Sequence, residues 1–501
     1  MNVADLLDHQ ARAQPQAPAW VTPTEVISFG AAARRVRTLA AVLSQSGLRA
    51  GQRVALCLPT SPAYLIALLA LGRIGAVAVP LHPRRPQAVL QAQAASVDVV
   101  AAIGTGPRPA IDGLRDIDLR ALELDDSSPQ DTPVPPVGGG DDLLCIVWSS
   151  GTTGPPRPVG WSHRRLWRQY ERMQVLRPHG PGVRLLVFMG YDASYSMQAA
   201  LRMLWSGGAV VIVPDISQRS LADGIDRLGA QHVLSSPGVV GRLVESWPAS
   251  APRFPGLQSL HLGGGTVPPA LHAVLTQRLC PVVCVNAGTS EVGGLSYGVP
   301  GLLERVPGSS GRVSPWVRAE TVDDAGRPLP PGSWGELRFQ SDDFPAADLG
   351  PAWRDGWYHP GDCGRVLADD TLIIEGRVDD LINLGGMKIN PADVEALLLA
   401  QPGVSDAAAY GVEAGPGAVR MVVAVVCSDS FDRTAALTLC RNTLGQKAPY
   451  ALVSVPRLPR NAAGKVLRRV LAERTRFSSA ASDAAATMPV DVTEPEDPDS
   501  P

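Results

Sequence analysis

An α/β fold is the class this sequence predicts, and three observations predict it. Short apolar strand-like runs alternate with helical periodicities through roughly the first 300 residues, the pattern of a largely parallel sheet with crossover helices. Residues 311–375 then change to short runs broken by turn signals, such as Asp324-Ala325-Gly326 and Asp369-Asp370. A last segment of about 100 residues mixes helix and strand signals after a break near Arg377–Asp380. The expected organisation is a large N-terminal α/β domain over 1–378 that contains a β-rich subdomain, a small C-terminal α+β domain over 379–475, and an acidic tail over 476–501.

The elements follow in order. Arg34–Ser46 has helical apolar spacing, Arg53–Leu58 reads as a strand, Ser61–Ile74 as a helix and Ala76–Pro80 as a strand. Asp125–Asp142 is rich in Pro, Gly, Ser and Asp and reads as an exposed connection. Leu185–Met189, Ala209–Val213, His232–Leu234, Ser259–Leu262 and Val282–Val285 are short apolar strand candidates. In the last segment Asn390–Leu399 is a helix with Pro391 in its first turn, Met421–Cys427 is β-rich and Ala435–Leu444 is helical. Phe477–Pro501 is Ser/Ala/Pro/Asp-rich with almost no aromatic residue, a composition that does not predict a packed structure.

Composition narrows the function. The chain has 501 residues and a net charge of −3, so no basic footprint points to nucleic acid or a membrane surface. No apolar run approaches the length of a membrane span, and the first residues lack the pattern of a secretory signal. Seven cysteines at irregular spacing argue against a disulfide framework, and Cys280 and Cys284 read as buried thiols. A cytoplasmic enzyme is the expectation. Only three lysines, Lys388, Lys447 and Lys465, stand among 45 basic residues, all in the last quarter. Lys is a compact, mobile point charge where Arg is a planar fork.

The chemistry concentrates in a few segments. Ser149-Ser150-Gly151-Thr152-Thr153-Gly154-Pro155-Pro156-Arg157 follows the apolar run Leu143–Trp148. Glycines let backbone N–H groups approach oxyanions and the hydroxyls add donors, so an apolar strand entering such a loop is a natural phosphate cradle. The plain alternative is a flexible turn. Gly263-Gly264-Gly265-Thr266 and Asn286-Ala287-Gly288-Thr289-Ser290-Glu291 each follow a strand candidate. Tyr358-His359-Pro360-Gly361-Asp362, Gly376-Arg377-Val378-Asp379-Asp380, Leu384-Gly385-Gly386-Met387-Lys388-Ile389 and Pro459-Arg460-Asn461-Ala462-Ala463-Gly464-Lys465 complete the series.

In this order the segments resemble the adenylate-forming superfamily of acyl- and aryl-CoA ligases, luciferases and peptide-synthesis adenylation domains, over about residues 10–475. The resemblance implies two half-reactions. ATP and a carboxylate give an acyl-adenylate, and a thiol, CoA or carrier-protein phosphopantetheine, then takes the acyl group. It assigns Ser149, Ser150, Gly151, Thr152, Thr153, Gly154 and Arg157 to the phosphates, and Glu291 with Thr152 to Mg²⁺, a hard cation that takes oxygen ligands. Gly263, Gly264 and Gly265 let the backbone lie flat against the adenine, Asn286, Ala287, Gly288 and Ser290 join the nucleotide site, Asp362 accepts from the ribose hydroxyls, and Arg377 reaches the ribose or phosphate. Lys465 offsets charge built up in adenylation, with Glu291 the other catalytic residue. Asp379 is the hinge of a mobile small domain, and Gly385, Gly386 and Lys388 form the loop that meets the thiol. A solvated surface lysine and an ordinary turn aspartate are the plain alternatives for Lys465 and Asp379.

Departures mark this chain. Arg157-Pro158 stands where the superfamily has Lys-Gly, Ala287 replaces a common aromatic, Ser290 replaces Thr, and Asn383 stands where many CoA ligases carry Lys. The acyl pocket, by resemblance, gathers around Tyr191–Met197, Ser235–Val239, Gly263 and Asn286–Gly288, with Tyr191, Asp192 and Ser236 its named candidates. Asp192 either pairs with a substrate ammonium, as in amino-acid-activating domains, or caps the following helix. The leading expectation is activation of an aryl or short-to-medium acyl acid. A stand-alone amino-acid adenylation enzyme loading a carrier protein is the rival, and a non-catalytic acyl-binding relative is a third reading.

Overall fold

The computed structural model describes all residues except 84–86, 106–110, 112, 122–134, 150–156, 246, 248–253, 346–348, 385–386, 416–417, 461–465 and 476–501. The expected connection over Asp125–Asp142 and the acidic tail therefore lie largely or wholly outside the described residues. The chain divides into two compact units, Met1–Arg318 with Ser341–Pro351, and Ala319–Gln340 with Ala352–Pro501. The break expected at Arg377–Asp380 falls inside the second unit, because the β-rich segment groups with the C-terminal α+β part.

Among the described residues the first unit holds two parallel sheets, each closed by one antiparallel edge strand. The first runs Val283–Asn286, Ser259–Gly263, His232–Ser235, Arg184–Val187, Ala209–Val211, Pro18–Val21, then antiparallel Val26–Ser28. The second runs Arg115–Asp118, Val99–Gly104, Arg53–Cys57, Val77–Pro80, Leu143–Trp148, then antiparallel Pro158–Ser162. The expected strands sit where the apolar runs placed them, within one or two residues at each end.

Helices Phe29–Gln45, Pro62–Arg73 and Ser194–Trp205 share one hydrophobic cluster with residues of both sheets. The Pro62–Arg73 helix is buried on all sides from Tyr64 to Arg73, which explains its uniformly apolar sequence. Its start is fixed by Pro62 at the first position and by Ser61, whose hydroxyl accepts the Tyr64 N–H at 3.4 Å. The opposite face of the first sheet packs with the helices Gln218–Asp226, Pro237–Glu245 and Pro269–Arg278 around a second cluster. Period-2 alternation sorts the strands: Leu260 and Leu262 enter that second cluster, while His261 and Gly263 face the other way.

The second unit contains an antiparallel sheet in which Gly335–Gln340 pairs with Trp357–Tyr358 and Asp362–Val366, and Asp362–Val366 with Leu372–Arg377. It also contains the sheet Val404–Gly415, Ala418–Cys427 and Ala451–Ser454, packed with the helices Pro391–Leu399 and Arg433–Leu444 around one core cluster. The Val404–Gly415 strand was not among the elements the sequence predicted.

Candidate active site

The loop from Ser150 to Pro156 lies outside the described residues, but its frame does not. Leu143–Trp148 and Pro158–Ser162 form a hairpin that ends with Trp148 opposite Pro158. Beyond that pair, the Ser149 N–H donates to the Arg157 carbonyl at 2.9 Å, and the Arg157 N–H donates to the Ser149 hydroxyl at 2.9 Å. The Arg157 side chain is exposed. Pro158 occupies the start of an edge strand, where a missing N–H is tolerated.

The same hairpin holds the segment that carries Glu291. Trp161 is fully buried, and its indole N–H donates to the Ser290 carbonyl at 3.0 Å. The Arg165 guanidinium stacks 3.7 Å over the Trp161 ring and donates to the Glu291 carbonyl. The Ser290 hydroxyl donates to the Trp148 carbonyl at 3.4 Å. Glu291 itself sits at the turn between Gly288–Thr289 and Gly293–Gly294, a tight pairing in which a Cβ on Gly288 would lie 2.6 Å from the Gly293 oxygen. Among the described residues no side-chain hydrogen bond or ion pair engages the Glu291 carboxylate, so its oxygens remain available to a cation. Sequence reasoning did not single out Trp161 and Arg165. They act from a strand and a helix that carry no motif.

The Gly263 and Asn286 segments meet through neighbouring strands, where Gly263 pairs with Asn286. Tyr195 explains the first glycine: a Cβ on Gly263 would come within 2.8 Å of its ring. The Tyr195 hydroxyl donates to Asn286 Oδ1 at 2.9 Å. Gly264 adopts φ +80°, the left-handed region that favours glycine, and Gly265 lies near Pro237. The Ala287 N–H donates to the Ser296 hydroxyl at 2.8 Å.

The remaining acyl-pocket candidates take distinct places. Tyr191 is fully buried in the core beside Tyr64, whose hydroxyl donates to its carbonyl at 3.0 Å, and burial pushes the Tyr191 phenol far up. Ser236 is buried, and its hydroxyl accepts the Val239 N–H at 3.3 Å at the start of the Pro237–Glu245 helix. Asp192 does not cap the helix that follows it: the N-cap is Ala193 and no side chain caps it.

In the second unit, Asp362 and Arg377 sit directly opposite on paired strands, with Arg377 Nη1 3.0 Å from Asp362 Oδ1. The 3.9 Å contact from Arg377 Nη2 reaches Asp379, in the 3₁₀ turn Val378–Asp380. Glu336 accepts from His359 Nδ1 at 3.0 Å, and the His359 contact holds its carboxyl below the usual range. Lys388 is paired with Asn383 across the Ile382–Leu384 and Met387–Ile389 strands. Gly385, Gly386 and Lys465 lie outside the described residues.

The fold has close counterparts among solved structures. ATP-bound MatB from Rhodopseudomonas palustris superimposes with a TM-score of 0.85 at 23% identity, covering 94% of this chain and 99% of that one. MenE from Bacillus subtilis with ATP and magnesium gives 0.81 at 21% identity, covering 93% and 98%. In sequence, a feruloyl-CoA synthase of Amycolatopsis sp. is 28% identical over 491 residues, 92% of this chain and 96% of that protein. A 3-hydroxybenzoate–CoA ligase of Aromatoleum sp. (strain CIB) is 26% identical over 521 aligned positions, 94% and 97%. The AMP-binding enzyme family matches residues 7–343, well over half the length, and the chain belongs to that family.

Proposed function

We propose that this AMP-binding enzyme is an AMP-forming acid–thiol ligase that activates a carboxylic acid with ATP and transfers the acyl group to CoA. The observation that carries this reading is the anchoring of the Ser290–Glu291 turn to the hairpin that frames residues 150–156, through Trp161 and Arg165. The turn so anchored carries a carboxylate that no side chain engages among the described residues. The CoA ligases among the relatives support the acyl and thiol parts.

In the first half-reaction the substrate carboxylate oxygen attacks the α-phosphorus, the bond to the bridging oxygen breaks, and pyrophosphate leaves with that electron pair. Ser149, Ser150–Gly154 and Arg157 hold the leaving phosphates, and Lys465 offsets charge at the α-phosphate. Glu291 and Thr152 hold Mg²⁺, which supplies Lewis-acid stabilisation of the phosphate oxygens when bound. Gly263–Gly265, Asn286–Gly288 and Ser290 border the adenine, and Asp362 with Arg377 takes the ribose. In the second half-reaction the thiol loses its proton, sulfur attacks the acyl carbon, and AMP leaves. Gly385, Gly386 and Lys388 face the thiol after the segment from Asp379 onward turns. Carrier-protein phosphopantetheine is the alternative acceptor.

ATP–pyrophosphate exchange and acyl-CoA formation test the two halves separately. Lys465→Ala is expected to lower exchange by about 100-fold or more and to keep thioester formation from a supplied acyl-adenylate. Asp379→Pro, which fixes φ at the turn, is expected to show the reverse. Wild-type exchange in Lys465→Ala would remove that residue from the mechanism. An amino-acid substrate is the second reading, kept by Asp192, which does not cap the helix that follows it. Exchange with amino acids, lost in Asp192→Ala, would favour it.

A further inference from the structure

Beside the Ser194–Trp205 helix lies a cavity of about 40 Å³, and its polar lining is one-sided in charge. Arg177, Arg202, His179 and His261 line it, with Leu234 and Met203 on the apolar side. The volume suits a group of about three heavy atoms, given roughly 10–15 Å³ for one water-sized probe.

The histidines in this cluster are held neutral. Arg177 Nη1 lies 2.5 Å from His261 Nδ1, and because guanidinium only donates, that ring nitrogen is the acceptor. His261 Nε2 then donates to the Ser259 hydroxyl at 2.7 Å, which donates onward to His232 Nδ1 at 2.7 Å. His179 stacks beside His232 with ring centroids 5.0 Å apart. Burial, then the charge on Arg177, pushes His261 far below its ordinary value, and burial brings His179 down to about 4. The permanent charge therefore rests on the two arginines.

Among the described residues, no acid pairs with those arginines. Among the described residues no ion pair and no side-chain hydrogen bond reaches the Arg202 guanidinium. Arg177 Nε is buried with no hydrogen-bond partner. No carboxylate is among the groups whose charge acts on Arg202, His179, His232 or His261. Burial lowers Arg202 to about 10, a sign that its charge is poorly compensated. Both side chains stem from C-terminal ends of helices, where the backbone dipole favours a cation. That accounts for their tolerance and not for guanidinium donors aimed at a void.

The cavity shares a helix and a strand with the candidate acyl site, and Tyr195, Gly263 and Asn286 are not part of its lining. Tyr195, Ala199 and Arg202 share one face of their helix, and Tyr195 is the residue on Gly263 and Asn286. Seven residues of helix put Arg202 about 10 Å beyond Tyr195. On the facing strand His261 lies two residues before Gly263, about 7 Å away on the same face.

We infer that the acid activated here carries a second carboxylate, which Arg177 and Arg202 bind at the far end of the acyl site, about 7–10 Å beyond Gly263 and Tyr195. This deepens the proposed ligase activity and rests on it. The two arginines are specificity residues, remote from the reacting atoms. His261 positions Arg177, and the chain through Ser259 to His232 keeps the imidazole an acceptor.

Suberate and octanoate, which differ in the second carboxylate, make the test. Wild-type protein is expected to prefer suberate in ATP–pyrophosphate exchange, and Arg202→Met to lower the suberate-to-octanoate ratio of kcat/KM by about 10- to 100-fold. Arg202→Lys should restore part of the ratio. Arg177→Met should share the loss, which covers a failure of the first variant to fold. A wild-type preference for octanoate, or a ratio unmoved by both variants, overturns the inference. Titration calorimetry of the same two acids separates the readings. Suberate binding tighter than octanoate and lost in Arg202→Met, without exchange, keeps the anion site and removes the ligase. Exchange with octanoate alone does the opposite.

Discussion

Glu291 and Asp362 show two ways in which the fold treats a functional carboxylate. Glu291 has its backbone anchored by Arg165 and, among the described residues, no side-chain partner, while Asp362 is held at 3.0 Å by Arg377. Replacing Asp362 by Asn removes the charge on a group proposed to accept from a ribose and already engaged by a cation. The KM for ATP is expected to rise about 10-fold with a smaller change in kcat, read from initial rates at varied ATP. An unchanged KM would take Asp362 out of nucleotide binding. At this scale, legibility followed contiguity. Gly263–Gly265 and Asn286–Glu291 could be picked out because their residues sit side by side in the chain. Arg177, Arg202 and His261 could not, because a helix end, another helix and a strand bring them together and none carries a local pattern. Tyr191 was legible as a position and not as a role, since nothing in a run of four residues distinguishes a core tyrosine from a pocket wall.

Elements were more legible than residues because burial imposes periodicity over many positions. The Pro62–Arg73 helix and the parallel strands are apolar along their length, and their limits follow from Ser61, Pro62 and the turns around them. The Val404–Gly415 strand escaped because its sequence, VSDAAAYGVEAG, is rich in alanine and glycine, and its pairing with Ala418–Cys427 supplies the order that propensity does not. Close packing inside an element also makes a prediction. Gly364 lies on the strand that begins with Asp362, and a Cβ there would collide with the Ile373 carbonyl on the partner strand. Gly364→Ala is expected to destabilise the protein by about 2–3 kcal/mol in urea unfolding and to weaken ATP binding with it. Unchanged stability would show that this pairing can widen.

Across the whole molecule, buried histidines set an acid limit. His163 is 1% exposed, accepts the Val3 N–H on Nδ1 at 3.1 Å, and is lowered by burial from 6.5 to about 4. His179 is lowered to about 4 by the same cause. Between those values the unfolded chain binds protons that the folded chain does not, so stability is complete above pH 6.5 and falls as the pH drops toward 4. Urea midpoints measured from pH 7 to pH 4.5 are expected to decline, and His163→Asn, which keeps an acceptor near Nδ1 and cannot titrate, to decline less. Equal slopes would place the acid limit elsewhere. Domain organisation was the least legible level: helix and strand signals reveal a change of character near residue 311 and another near 377, but which segments cluster depends on contacts distant in sequence. The hairpin of Leu143–Trp148 and Pro158–Ser162 has a consequence at this level too. With Ser149 and Arg157 already bound to each other, the ends of the seven intervening residues are brought together by the sheet and not by a ligand. The closure entropy of that segment is met by the hairpin during folding. The two positions that depart from the superfamily's Lys-Gly, Arg157 and Pro158, belong to this frame, and the departure leaves the closure of the hairpin in place.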